Sequence, residues 1–210
     1  GGYTRLSLRE DAAEAYKALY EEVHSLGGII TTAGGKRRLS SKTSPSRSKK
    51  SMHYVGLAFD MALPTAMQNP DKDPYLIQRD GESRKWIVWC KTDNPDVPRV
   101  TVEACWVTGH KDSRGRRYTQ LNSKPVTCRA FNFTELANKH GFERISGRRS
   151  FFKGGTYTGS EWWHFQFEKA LTRGQSMFGE ELLKIYPEAE AKAFAYWDES
   201  YDCVFGKTWF

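Results

Sequence analysis

The chain has 210 residues, 39 % hydrophobic and 27 % charged, which fits an ordinary globular protein with one sizeable core and insertions, or at most two small domains. No apolar run has the length of a membrane span and the N-terminus lacks a signal-peptide pattern. Gly1-Gly2 reads as a processing scar, so the compartment stays open: cell envelope or secreted if a leader was removed, cytoplasmic otherwise. A net charge of +7 favours an anionic partner.

In chain order, residues 8–26 read as an amphipathic helix. Leu8, Ala12, Ala15, Leu19 and Val23 recur at three- and four-residue steps, and Gly27-Gly28 stops it. Ile29 to Thr32 reads as a short strand. The Lys36–Lys50 run that follows is strongly basic but lacks interleaved aromatics, and its serines and Pro45 predict a solvated loop rather than a nucleic-acid platform. Leu57 to Leu63 alternates as a strand, with Leu57, Phe59, Met61 and Leu63 on one face and Ala58, Asp60 and Ala62 on the other. From Pro70 to about Arg129, runs such as Trp86–Cys90 and Val100–Val107 predict a β-rich insertion. Thr134 to His140 reads as a short helix with Thr134 as N-cap, stopped by Gly141. Glu161 to Glu168 alternates again as a strand. The segment from Gly179 to Trp197 reads as a helix with a break at Pro187 and belongs to a C-terminal extension over about 169–210. The expected fold is α+β in a single domain: a mostly antiparallel central sheet, flanking helices and the β-rich insertion at about 70–130.

Two stretches carry chemistry. Asp60 sits inside an otherwise apolar strand, where a carboxylate is costly unless it is paired or bound to metal. His53 stands on the approach to that strand, and Ser160-Glu161-Trp162-Trp163-His164 places a second histidine in an aromatic strand. If the strands are neighbours, His164 and Asp60 face one cleft with His53 closing over it. Two imidazoles and one carboxylate make a three-ligand zinc set with one open position. Glu161, close to a ligand yet not needed as one, is then the candidate general base.

The pattern Ser51-x-His53-x-x-Gly56-x-Ala58-x-Asp60, followed by Glu161-Trp162-Trp163-His164, resembles the signature of the D-alanyl-D-alanine metallopeptidases. That family includes D-Ala-D-Ala carboxypeptidases and L-alanyl-D-glutamate endopeptidases and shares its fold with the hedgehog signalling domain. The resemblance covers roughly residues 8–64 and 131–168. It implies one catalytic Zn2+ on His53, Asp60 and His164, with Glu161 as general base and Ser51 touching substrate. It also implies an upstream arginine for the oxyanion. Arg37 is taken for that task, with Arg38 and Arg47 as alternatives. The substrate implied is a peptidoglycan stem peptide, with an anionic wall polymer as partner.

Two other readings stand beside it: a same-fold zinc enzyme acting on another small peptide or amide, and a catalytically silent zinc-binding recognition module. Trp162 is expected to wall the cleft as a substrate contact while Trp163 packs the core; Tyr54 and Tyr157 are weaker candidates. A Ser51–His53 nucleophile pair has no orienting acid. His24, His110 and His140 read as structural. Cys90, Cys105, Cys128 and Cys203 lack metal-site spacing and read as reduced thiols, with Cys90 and Cys105 facing each other in a hairpin.

Overall fold

A computed structural model describes residues 6–41, 50–62, 66–111, 113–115 and 117–193. Arg47, Leu63, Cys203, most of the basic run and the end of the expected C-terminal helix lie outside them. The fold is α+β with two antiparallel four-stranded units. Helix α1 (Glu10–Ser25) leads to β1 (Thr32–Gly34) and β2 (Ala58–Met61). Strands β3 (Tyr75–Arg79), β4 (Trp86–Lys91), β5 (Arg99–Lys111) and β6 (Arg117–Asn132) follow. Then come α2 (Phe133–Lys139), β7 (Phe142–Arg144), β8 (His164–Phe167), α3 (Phe178–Leu183) and α4 (Glu188–Lys192). Among the described residues no helix is long and apolar enough to cross a membrane.

The first unit is an open sheet in the order β1-β2-β8-β7. Its core face follows from the alternation in β2 and β8. Phe59 and Phe165 lie opposite each other and stack at 5.6 Å, and Tyr16 of α1 meets Phe59 edge-on at 5.1 Å. Ala12, Leu19 and Val23 bury the apolar stripe of α1 in the same core. The next cross-strand pair, Asp60 and His164, therefore shares the opposite face.

The second unit is a closed barrel in the order β3-β4-β6-β5, filling the predicted β-rich insertion. It shares the main core with the sheet: Tyr75, Ile77, Trp86, Val88 and Cys90 join the cluster containing Phe133 and Phe165. Cys90 and Cys105 do not face each other across a hairpin as expected. Their strands flank β3, where Cys90 opposes Tyr75 and Cys105 opposes Ile77. Cys90, Cys105 and Cys128 are free thiols, and burial pushes Cys90 up to about 11.

Two local expectations are corrected. The N-cap of α2 is Asn132, whose side chain accepts from the Glu135 amide at 3.1 Å, while Thr134 is buried and accepts from the Val88 amide at 2.8 Å. The strand expected from Glu161 begins at His164, because residues 161–163 form a turn closed by the His164 amide donating to the Glu161 carbonyl at 3.2 Å. The break expected at Pro187 is present: α3 and α4 lie on either side of it, because Pro187 holds an extended backbone (φ −56, ψ 145) and has no N–H to continue a helix.

Candidate metal centre

His53, Asp60 and His164 each offer a ligand atom within 4.8 Å of the others, a group that could hold a metal ion. Asp60 and His164 are direct cross-strand partners on β2 and β8. His164 Nδ1 lies 2.9 Å from Asp60 Oδ1, and His53 Nε2 lies 3.2 Å from the same oxygen. Tetrahedral zinc with bonds near 2.0–2.1 Å places neighbouring ligand atoms about 3.3 Å apart, so these separations suit one small cation.

His53 reaches the strands from a tight turn. The Tyr54 amide donates to the Ser51 carbonyl at 2.9 Å and the Leu57 amide to the Met52 carbonyl at 3.0 Å. Gly56 holds φ 68 in this turn, and a Cβ there would come within 2.8 Å of the Arg9 backbone nitrogen. Only glycine permits both the left-handed backbone and the approach.

The tautomer of His53 follows from its partner. Nδ1 is 2.7 Å from the Gly35 carbonyl oxygen, which only accepts, so Nδ1 carries the proton and donates it. In the neutral ring Nε2 is then a bare acceptor, aimed at another acceptor, Asp60 Oδ1. Two lone pairs at 3.2 Å repel unless a cation, either a proton or a metal, lies between them. A second-sphere carbonyl that fixes the ring in this way is the usual support of a metal-binding histidine.

His53 and His164 are 4 % and 8 % exposed, while Asp60 is more open, so a ligand reaches the site from the Asp60 side. Burial pushes the Asp60 carboxyl upward. Hydrogen bonds to His164 and His53 outweigh this and hold it well below the usual carboxylate range. The donor set therefore has one fixed negative charge.

Glu161 is the one non-glycine residue with positive φ (59°) among the described residues. Such a conformation costs on the order of 1–3 kcal/mol and is sustained by its surroundings. Here the His164 amide closes the turn, and the Met61 amide of β2 donates to the Trp163 carbonyl at 2.9 Å. The carboxylate of Glu161 is mostly buried and accepts from Arg148 Nε at 3.0 Å. The sequence does not point to Arg148: a basic Gly-Arg-Arg in a loop gives no sign of which carboxylate it meets.

The remaining candidates fall in different places. The Arg37 amide donates to the His53 carbonyl at 2.8 Å, while its guanidinium lies 5.6 Å over the Tyr54 ring. Arg38 lines a cavity of about 690 Å³ with Lys36, Ser40, Tyr186 and Glu190, beside the strand end that supplies Gly35. Ser51 Oγ accepts from the His53 amide at 3.4 Å, a supporting contact within the ligand turn. Trp162, expected on the cleft wall, is 2 % exposed and packs edge-on against Trp86 at 5.0 Å, so its ring belongs to the core beneath the loop. Tyr157 packs against both Trp162 and Trp163. His24 is exposed and stacks on Tyr20, and His140 caps α2 with Nε2 2.6 Å from Glu22. Comparison with protein-family models, curated proteins and solved structures finds no match.

Proposed function

We propose that this chain is a zinc-dependent peptidase that cuts peptide bonds of peptidoglycan stem peptides, of the D-Ala-D-Ala carboxypeptidase or L-Ala-D-Glu endopeptidase type. The observation that carries this reading is the opposition of His53 Nε2 and Asp60 Oδ1, with His164 on the same oxygen and Glu161 on the turn that delivers His164. Two imidazoles and one carboxylate suit zinc among the common divalent metals and leave a position for substrate or water.

A bound zinc ion supplies Lewis-acid polarisation of the scissile carbonyl and lowers the pKa of water towards ~7. The protein's own groups carry the rest. Asp60 remains ionised and, with His53 and His164, fixes the position of the cation. Glu161 takes a proton from the attacking water and returns it to the leaving amine as the C–N bond breaks. Arg37 is the proposed partner of the developing oxyanion, swinging from its place over Tyr54, with Ser51 at the substrate backbone. Lys36 and Arg38, on the cavity beside Gly35, give an acidic wall polymer a basic surface to meet.

The test measures bound zinc together with release of D-Ala or stem-peptide fragments from purified wall peptides. The parent chain should bind one equivalent and turn over. Glu161→Ala should bind the same zinc and lose about 100- to 10,000-fold in kcat, the usual contribution of a general base. One bound zinc without turnover of any wall peptide by the parent rejects the peptidase reading; turnover of another amide or peptide, or none, then separates a same-fold enzyme from a silent recognition module.

A further inference from the structure

The proposed base stands on a strained turn, and a glutamate there has three free side-chain torsions. The one charged group that meets its carboxylate at hydrogen-bond distance among the described contacts is Arg148 Nε, at 3.0 Å. We propose that Arg148 is the positioning residue that aims Glu161, and that the barrel holds Arg148 in place to do so. This rests on the peptidase reading for its catalytic consequence, and on geometry alone for the pair itself.

Arg148 is anchored at both ends of its peptide unit. Its amide donates to the Gly159 carbonyl at 2.7 Å, and its carbonyl accepts from the Phe151 amide at 3.0 Å. A Cβ at Gly159 would come within 3.1 Å of the Phe151 Cβ and into ordinary contact with the Arg148 Cβ at 3.5 Å, so the loop has little room beside Phe151. The barrel grips the same loop at three points. The Gly147 amide donates to the Arg84 carbonyl at 2.7 Å, and the Arg84 guanidinium returns a bond to the Gly147 carbonyl at 2.9 Å. Trp86 Nε1 donates to the Ser160 carbonyl at 2.7 Å in a buried contact, one residue before Glu161. At the hairpin end, the Thr119 amide donates to the Gly154 carbonyl at 3.3 Å. The Trp86 indole also stacks on Phe152 at 5.6 Å. The loop from Gly147 to Ser160 thus cannot shift without breaking barrel contacts, and Arg148 Nε is presented to Glu161 from a fixed base.

The experiment uses the full chain, as parent, Arg148→Lys, Arg148→Met and Glu161→Ala, plus the Arg148→Met/Glu161→Ala double variant. The first readout needs no turnover: the arginine Nε–H signal in a proton–nitrogen NMR spectrum, assigned by its loss in Arg148→Lys. In the parent it should be protected from exchange with water, and in Glu161→Ala that protection should be lost. The second readout is kinetic. Arg148→Met should lower kcat about 10- to 100-fold, the range for residues supporting a site at second hand, with KM and bound zinc unchanged. Arg148→Lys should recover part of it, and Arg148→Met should cost nothing further on top of Glu161→Ala. An Arg148 signal indifferent to Glu161→Ala, or an equal Arg148→Met loss in both backgrounds, overturns the proposal. A Glu161-dependent signal in a parent that cleaves nothing supports the pair and rejects the peptidase reading instead.

Discussion

Gly56 lies between two proposed ligands, and replacing it with alanine tests whether the ligand turn is as constrained as its geometry says. Two costs add. The backbone holds φ 68, a left-handed conformation that costs an L-residue roughly 1–2 kcal/mol. The new Cβ would also stand 2.8 Å from the Arg9 backbone nitrogen, closer than real Cβ atoms approach. Arg9 cannot yield easily: its amide donates to the Gly56 carbonyl at 2.9 Å, and its guanidinium is held by Asp11 and by buried Glu181. Forcing such a contact costs typically about 1–3 kcal/mol. The total of about 2–5 kcal/mol lowers Tm by about 4–20 °C in a chain of this size. Gly81→Ala is the control, because Gly81 is left-handed at φ 53 with open space around its Cβ position. It should lose only the backbone part, about 2–8 °C. The assay is thermal unfolding by circular dichroism, with zinc affinity by chelator competition, where Gly56→Ala should weaken binding about 10-fold or more and Gly81→Ala should not. Equal Tm losses and equal zinc affinities for the two variants would refute the close-approach argument.

Asp60→Asn keeps the shape but removes the fixed negative charge, so zinc affinity should fall by more than about 100-fold, beyond the effect of a supporting residue, as read by the same competition. The Asp60 carboxyl is held below its unfolded value of about 3.9, so its contribution to stability is present at neutral pH and is lost as pH falls through the folded value. In chelator, Tm against pH should therefore show the parent's advantage over Asp60→Asn shrinking below about pH 4; an advantage that goes on growing as the pH falls below about 4 would contradict this assignment. Thr134→Val should cost about 1–3 kcal/mol in denaturant unfolding, because it strands the buried Val88 amide. Asn132→Ala, which removes only the N-cap of α2, should cost about 1 kcal/mol.

The sequence was most legible where one physical signal dominated. The stripe of Ala12, Leu19 and Val23 foretells α1, and the alternation around Phe59 foretells β2 and the face from which Asp60 projects. The register that sets Asp60 against His164 follows from pairing Phe59 with Phe165 in the core. Periodicity failed at Glu161-Trp162-Trp163, because a two-residue repeat says nothing about the sign of φ, and a turn can satisfy the same pattern as a strand. It failed again for Trp162, since burial of that ring depends on Trp86, which arrives from the barrel. The runs within the barrel were readable as strands, but closure was not: β3 pairs with β5 and β4 with β6, contacts between strands that do not follow one another. Pro125 also obscured β6, where it stands opposite Glu103. The Arg148–Glu161 pair was invisible for a related reason: the two side chains meet only after a glycine-rich loop has folded back on itself.

The strands that carry the proposed ligands Asp60 and His164 are short, four residues each for β2 and β8, flanked by two of three residues. Such a sheet by itself is a poor holder for donors that must stay within about 0.5 Å of a working geometry. The support comes from outside it, on two sides. On the first, Arg9 links the ligand turn to α3: its backbone bonds Gly56 while its guanidinium pairs with Glu181, which is 3 % exposed and also holds Lys184. Removing one member of a buried pair costs about 3–5 kcal/mol because the other is left uncompensated, so α3 is firmly tied to His53 through Gly56. On the second side the barrel fixes the Gly147–Ser160 loop, and with it the turn carrying Glu161 and His164. His53 and Asp60 are thus braced from the C-terminal segment, and Glu161 and His164 from the barrel. The relative position of the two halves of the site is set by the β2–β8 pairing, where Asp60 opposes His164 and the Met61 amide donates to the Trp163 carbonyl.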